Sequence, residues 1–242
     1  MNDLPAVLAE DINSIGRIVR KEMGFKQGLF LNQAGLPENP ALLSSLLLAS
    51  ASFGKYVYSK LEPVAVGLEL LNFGVRQHFP MALRFEEMGD GIDHLALIGG
   101  DYFYSRGISI AAQTGMSMVV EGLSEAIVRN IEAEALAETS FAIDEWNGIW
   151  GGHAALHGRA CELGASVGRV EVDIASKLKE FGQVIGRICR LLDESKAGRL
   201  GCAGHGDRLI AWVKEAGRIA GELPENECKT HLVHLPGSLS KS

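Results

Sequence analysis

Several sets of side chains in this sequence have the types and spacing for chemistry. Asp193 and Glu194 are adjacent carboxylates at the end of a long amphipathic segment. Glu86, Glu87 and Asp90 form a second acidic group inside the polar, glycine-containing run Arg84 to Asp93, which reads as a loop. The plainer reading of both groups is a solvated acidic surface. His153, His157 and Cys161 recur at steps of four, so they share one helix face and carry metal-ligand atoms. Ala154, Ala155 and Leu156 beside them make ordinary packing the simpler expectation. Cys202-x-x-His205 and Cys228-x-x-His231, with His234 nearby, have the internal spacing of two half zinc sites. Their glycine-rich and terminal contexts argue for isolated polar residues instead. No G-x-S-x-G elbow, P-loop or dinucleotide fingerprint is present, since GGD at Gly99 lacks a preceding strand.

Any of these groups needs a scaffold, and almost every segment of the chain reads as helix. Asp3 can cap a first helix that runs to about Met23 and stops at Gly24. Asn39-Pro40 starts the next. Glu62-Pro63 begins another, with Val64, Leu68, Leu71 and Val75 on one side, and Pro80 ends it. Gly99 and Gly100 precede Asp101, which reads as the cap of a further helix. The helix after that places Val120, Leu123, Ile127, Ile131 and Ala135 in one apolar stripe, with Glu121, Glu125, Arg129 and Glu132 opposite. Residues 142–164 and 170–194 supply two more helices, with Trp146 and Trp150 as core anchors in the first. In the second, Leu178, Phe181, Ile185 and Ile188 recur at helical spacing. A glycine-rich break from Ala197 to Gly206 precedes one more helix, and residues from about Pro224 read as an irregular, partly mobile tail. No alternating period-2 run or internal repeat is present. The expectation is one all-α helical domain over residues 1–242.

Composition narrows the function class. A net charge of −7 and a pI near 5.5 argue against a nucleic-acid partner, which would need a basic face. The most apolar segment, Pro40 to Gly54, is interrupted by serines and falls short of the roughly 20 residues a membrane span requires. With no basic-then-apolar leader, the expectation is a cytoplasmic protein whose Cys161, Cys189, Cys202 and Cys228 are reduced thiols.

The run GGDYFYSRG from Gly99, followed by an acidic amphipathic helix, resembles the GDYLF helix of trans-polyprenyl diphosphate synthases. It is most similar to the small, non-catalytic subunit of heptaprenyl diphosphate synthase, and the likeness extends over about Leu42 to Glu194. The resemblance implies an isoprenoid synthase type helical bundle. It also implies a chemistry in which two facing aspartate-rich motifs hold magnesium ions that stabilise a departing diphosphate. Here the first motif keeps Glu69, Leu70 and His78, but Phe79-Pro80 stand where the paired aspartates belong. The second keeps Gly182, Gly186, Asp193 and Glu194, while Arg190 replaces a glutamine and Ala197 the last aspartate. Gly152-His153 replace a lysine-threonine pair that contacts diphosphate, and the N-terminal glycine-lysine-arginine clamp has no counterpart.

With those electrostatic groups gone, no catalytic residue and no cofactor are expected, and Asp193 and Glu194 are a vestigial substrate site. The resemblance then implies a non-catalytic subunit of a heteromeric long-chain polyprenyl diphosphate synthase in isoprenoid or quinone side-chain synthesis. Its partner is the catalytic synthase, in a heterodimer formed through the helices of residues 105–118 and 120–135, or a second copy when expressed alone. The alternatives are a divergent prenyltransferase using magnesium at Asp193, Glu194 and Glu86, and a pseudoenzyme that binds an isoprenoid without any synthase partner.

Overall fold

The computed structural model describes residues 5–24, 41–84, 94–139, 154–196 and 205–240. Among these residues every regular element is helical: α1 (Ala6–Gly24), α2 (Leu42–Ala51), α3 (Tyr58–Arg84), α4 (His94–Ala111), α5 (Ser117–Thr139), α6 (Ala155–Gly168), α7 (Val172–Lys196), α8 (His205–Gly221) and α9 (Lys229–Leu239), with a 3-10 turn at Ala112–Thr114. The all-α expectation is what the chain adopts. No helix among the described residues is long and apolar enough to cross a membrane.

The bundle is built around α2, all ten of whose residues are buried. Such a helix has no polar face to give to solvent, so its neighbours α1, α3, α6 and α7 must surround it. Its first-turn amides lack intrahelical partners, and a carboxylate from α3 supplies one. Glu69 Oε1 accepts from both the Ser44 amide and the Ser44 hydroxyl, each at 2.8 Å. Burial pushes the Glu69 carboxyl up to about 7, against the pull of those two bonds and of the Arg76 charge.

Helices α3 and α4 lie together at backbone contact. A Cβ on Gly67 would stand 2.8 Å from the Gly107 carbonyl oxygen, and one on Gly107 would stand 2.7 Å from that of Gly67. Only glycine fits at either position, and that closeness lets Phe73 and Phe103 meet edge to face at 4.6 Å. Gly164 and Gly168 of α6 do the same against α2, where a Cβ on Gly168 would reach within 2.7 Å of the Ala51 carbonyl.

Four sequence expectations are corrected here. Helix α3 begins five residues before Pro63 and continues through Pro80. Each interior proline removes one amide donor, at about 3 kcal/mol in an exposed helix, and the burial of Leu61, Val64, Leu68, Leu71 and Phe73 along α3 outweighs that loss. Asp101 caps nothing: α4 starts at His94, and Asp101 lies exposed two turns inside it. The glycines before it mark a close helix contact, with Gly100 against Gly74, rather than a helix start.

On α5 the buried face is Val119, Leu123, Ala126, Asn130 and Ala133, rotated from the expected stripe. Val120 and Ile127 are half-buried, and Ile131 and Ala135 are exposed. The tail expected to be irregular instead carries α9, with Leu232, Leu235 and Leu239 buried and the His231 ring 2.9 Å from the buried Ser45 hydroxyl of α2. Trp146 and Trp150 lie outside the described residues.

Candidate functional site: a cavity between four helices

The surviving carboxylates of the sequence analysis stand on the last turns of α7, and each meets a guanidinium. Arg76 of α3 donates to Asp193 at 3.1 Å, and Arg190 donates to Glu194 at 2.6 Å. The two pairs differ in burial: the Asp193 side chain is 33% exposed and that of Glu194 only 5%. A buried carboxylate needs such a partner, because desolvation without one costs several kcal/mol. Their charges are therefore spent on arginines within the same chain.

Next to these pairs lies a cavity of about 50 Å³, lined by Asn72 and Arg76 of α3, Asn130 of α5, His157 of α6, and Cys189 and Asp193 of α7. Burial among α3, α6 and α7 lowers the ring of the half-buried His157 to about 4, and the nearby Arg76 charge adds to the shift. The imidazole is neutral at physiological pH. Burial pushes the Cys189 and Cys161 thiols up to about 12, so both are protonated at physiological pH.

The face of α6 carrying His157 and Cys161 packs onto α7. A Cβ on Gly182 would stand 2.7 Å from Cys161 Sγ, and one on Gly186 would stand 2.9 Å from His157 Nδ1. Packing, rather than metal ligation, accounts for that spacing. Cys228 and His231 are likewise turned into the core, and His205 begins α8. Glu86, Glu87, Asp90, Gly152, His153 and Cys202 lie outside the described residues. Phe79 and Pro80 continue α3 one turn beyond Arg76. Among the described residues no three acidic, histidine or cysteine side chains are grouped to hold a metal ion. A cation at Asp193 and Glu194 would compete with both guanidinium groups for the carboxylates.

Sequence reasoning located Asp193 and Glu194 but missed Arg76, Asn72 and Asn130. A signal existed: Arg76 and Asn72 interrupt the apolar face that Leu68, Leu71 and Val75 establish, and Asn130 interrupts that of α5.

No family model matches the chain, and no curated protein matches it. Solved structures do. A decaprenyl diphosphate synthase from Rhodobacter capsulatus superposes with a TM-score of 0.76 at 16% identity, over 97% of each chain. The fold is the isoprenoid synthase fold. A heptaprenyl diphosphate synthase from Staphylococcus aureus shares this isoprenoid synthase architecture with a TM-score of 0.70 at 16% identity, over 96% of this chain and 98% of that one. The geranyl diphosphate synthase small subunit from Antirrhinum majus has a TM-score of 0.64 at 16% identity, over 96% of this chain and 98% of that one. Identities this low speak for the trans-prenyl diphosphate synthase architecture alone.

Proposed function

We propose that this chain is a non-catalytic subunit of a heteromeric polyprenyl diphosphate synthase, working beside a catalytic chain of the same fold. The observation that carries the reading is the arginine partner on each remaining carboxylate, Arg76 on Asp193 and Arg190 on Glu194. Prenyl transfer needs the leaving diphosphate's negative charge stabilised as it develops. A site whose carboxylates already neutralise their own arginines has no net charge left to recruit the cations for that task. Asp193 and Glu194 are then remnants of a substrate site that now tie α7 to α3 and stabilise its last turn.

The subunit role draws on α5. Its apolar arc is wider than the part its own core covers: Val128 and Ile131 are 53% and 54% exposed, beside half-buried Val120 and Ile127. The opposite flank of α5 is already occupied, with Glu125 bridging Arg129 and Arg159 at 2.6 and 2.5 Å. A partner helix fits the apolar flank. One structural neighbour is itself a small subunit, that of the Antirrhinum majus geranyl diphosphate synthase.

Co-expression with a catalytic polyprenyl synthase from the same host tests the proposal. The expected result is co-purification as a heterodimer, lost in Ile127→Glu/Ile131→Glu while both variants keep wild-type helicity. A chain that stays monomeric beside every such synthase contradicts it.

A further inference from the structure

Two polar atoms beside the cavity have no hydrogen-bond partner among the described residues: Asn130 Oδ1 and His157 Nδ1. Both residues line the cavity, and Asn130 is 3% exposed. Buried polar groups in native proteins nearly always have a partner, from the protein or from ordered solvent. Gly186 lets the His157 ring lie close against α7 at the edge of the cavity, since a Cβ there would stand only 2.9 Å from Nδ1.

The chemistry of the two groups selects what can sit between them. Asn130 Oδ1 only accepts hydrogen bonds, so its partner must donate. His157 is neutral, so its ring offers one N–H and one lone pair, and a partner that both donates and accepts serves it in either tautomer. A hydrocarbon can satisfy neither atom, and an oxyanion cannot donate to Asn130. A volume of about 50 Å³ is ample for ordered water, one molecule of which needs only ~10–15 Å³ of such space. Asn72 and Arg76 add polar groups to a lining that is otherwise more apolar than polar, with Val75 and Leu156 facing it.

We infer that this cavity is a hydration site in which ordered water bridges Asn130 and His157, and that it excludes a prenyl chain. The inference deepens the proposed non-catalytic role and rests on it for one point, that a prenyl chain is the relevant competitor. It separates that role from an isoprenoid-binding pseudoenzyme. A hydrocarbon placed here would displace the water and leave both polar atoms without partners.

Two measurements on the wild-type chain decide the matter. A high-resolution crystal structure is expected to show ordered water within hydrogen-bond reach of both Asn130 Oδ1 and His157 Nδ1. A dry cavity, or elongated apolar density in it, overturns the inference. Titration with a fluorescent farnesyl analogue is expected to give no saturable signal up to the solubility limit of the probe. Saturable binding that Leu156→Trp weakens at least tenfold overturns it as well. The two readings fail separately: probe binding that Leu156→Trp weakens, without condensation activity, sinks the hydration site and leaves the subunit role standing. Magnesium-dependent condensation activity sinks the subunit role whichever molecule fills the cavity.

Discussion

The contact of α2, α3 and α4 and the cavity at the end of α7 stand in sharp contrast within one bundle. In the first, Glu69 meets Ser44 at 2.8 Å and Gly67 meets Gly107 at a distance that admits no side chain at either position. In the second, carboxylates on α7 are paired with Arg76 and Arg190, and one of the pairs is a third open to solvent. Architecture is held by close packing, where one added methylene is felt throughout. Chemistry is held by uncompensated charge, which a single arginine can cancel without disturbing the fold. A chain can therefore keep this architecture while its reactive charges are neutralised.

The contrast can be broken most severely at the glycines. Gly107→Leu should cost at least about 3 kcal/mol, since the opposing atom is the Gly67 carbonyl and cannot move aside as a side chain would. Urea denaturation measures it, and a midpoint within error of wild type would show that α3 and α4 can separate freely.

Glu69 gives an effect of similar or smaller size that depends on pH. Its folded-state value of about 7 lies above the ordinary carboxylate value of 4.5. The stability it confers is thus complete below pH 4.5 and is lost as pH rises through 7. Glu69→Gln keeps an acceptor for Ser44 and cannot ionise, so it should gain on wild type across that window, by on the order of 3 kcal/mol at pH 8. His157, whose value is lowered to about 4, adds the opposite slope, with stability present above pH 6.5 and lost as pH falls through 4. That slope is common to both proteins and cancels in the difference. Parallel stability curves for the two proteins from pH 4 to pH 8 would contradict the assignment.

At the cavity mouth the expected changes are smaller. Arg76→Leu should lower stability by at most about 1 kcal/mol, because Asp193 is a third exposed and water replaces the lost guanidinium. A loss above about 3 kcal/mol would place the cavity among the rigid parts of the fold and erase the contrast. Smallest of all is Ile131→Glu, which should alter the stability of the isolated chain by less than about 0.5 kcal/mol, since the side chain is already exposed. Its expected effect is on heterodimer yield.

Much of the scaffold was legible in the sequence, and the reasons differ by element. Helices α1 and α7 declare themselves through Leu8, Ile12, Ile15 and Val19, and through Leu178, Phe181, Ile185 and Ile188, because one side of each faces the core. Helix α3 was harder, since Pro63 and Pro80 speak for boundaries that tertiary burial overrides. Asp101 misled for a related reason: glycines that signal a turn in isolation here allow a neighbouring helix to approach. At α9 the apolar side chains that dock on the core are few, and Pro236 lies among them. In the cavity, the position of Asp193 could be read from its motif, but its neutralisation could not. Its partner Arg76 is 117 residues away, and nothing local in either segment records the pairing.

The central claim is that this chain cannot carry out prenyl transfer alone. Incubating the purified protein with an allylic diphosphate, isopentenyl diphosphate and saturating magnesium, and quantifying the prenyl products, tests it most directly. The account predicts no product above the protein-free blank. Magnesium-dependent elongation by the pure chain, abolished by Asp193→Ala and Glu194→Ala, would contradict it and identify a divergent prenyltransferase.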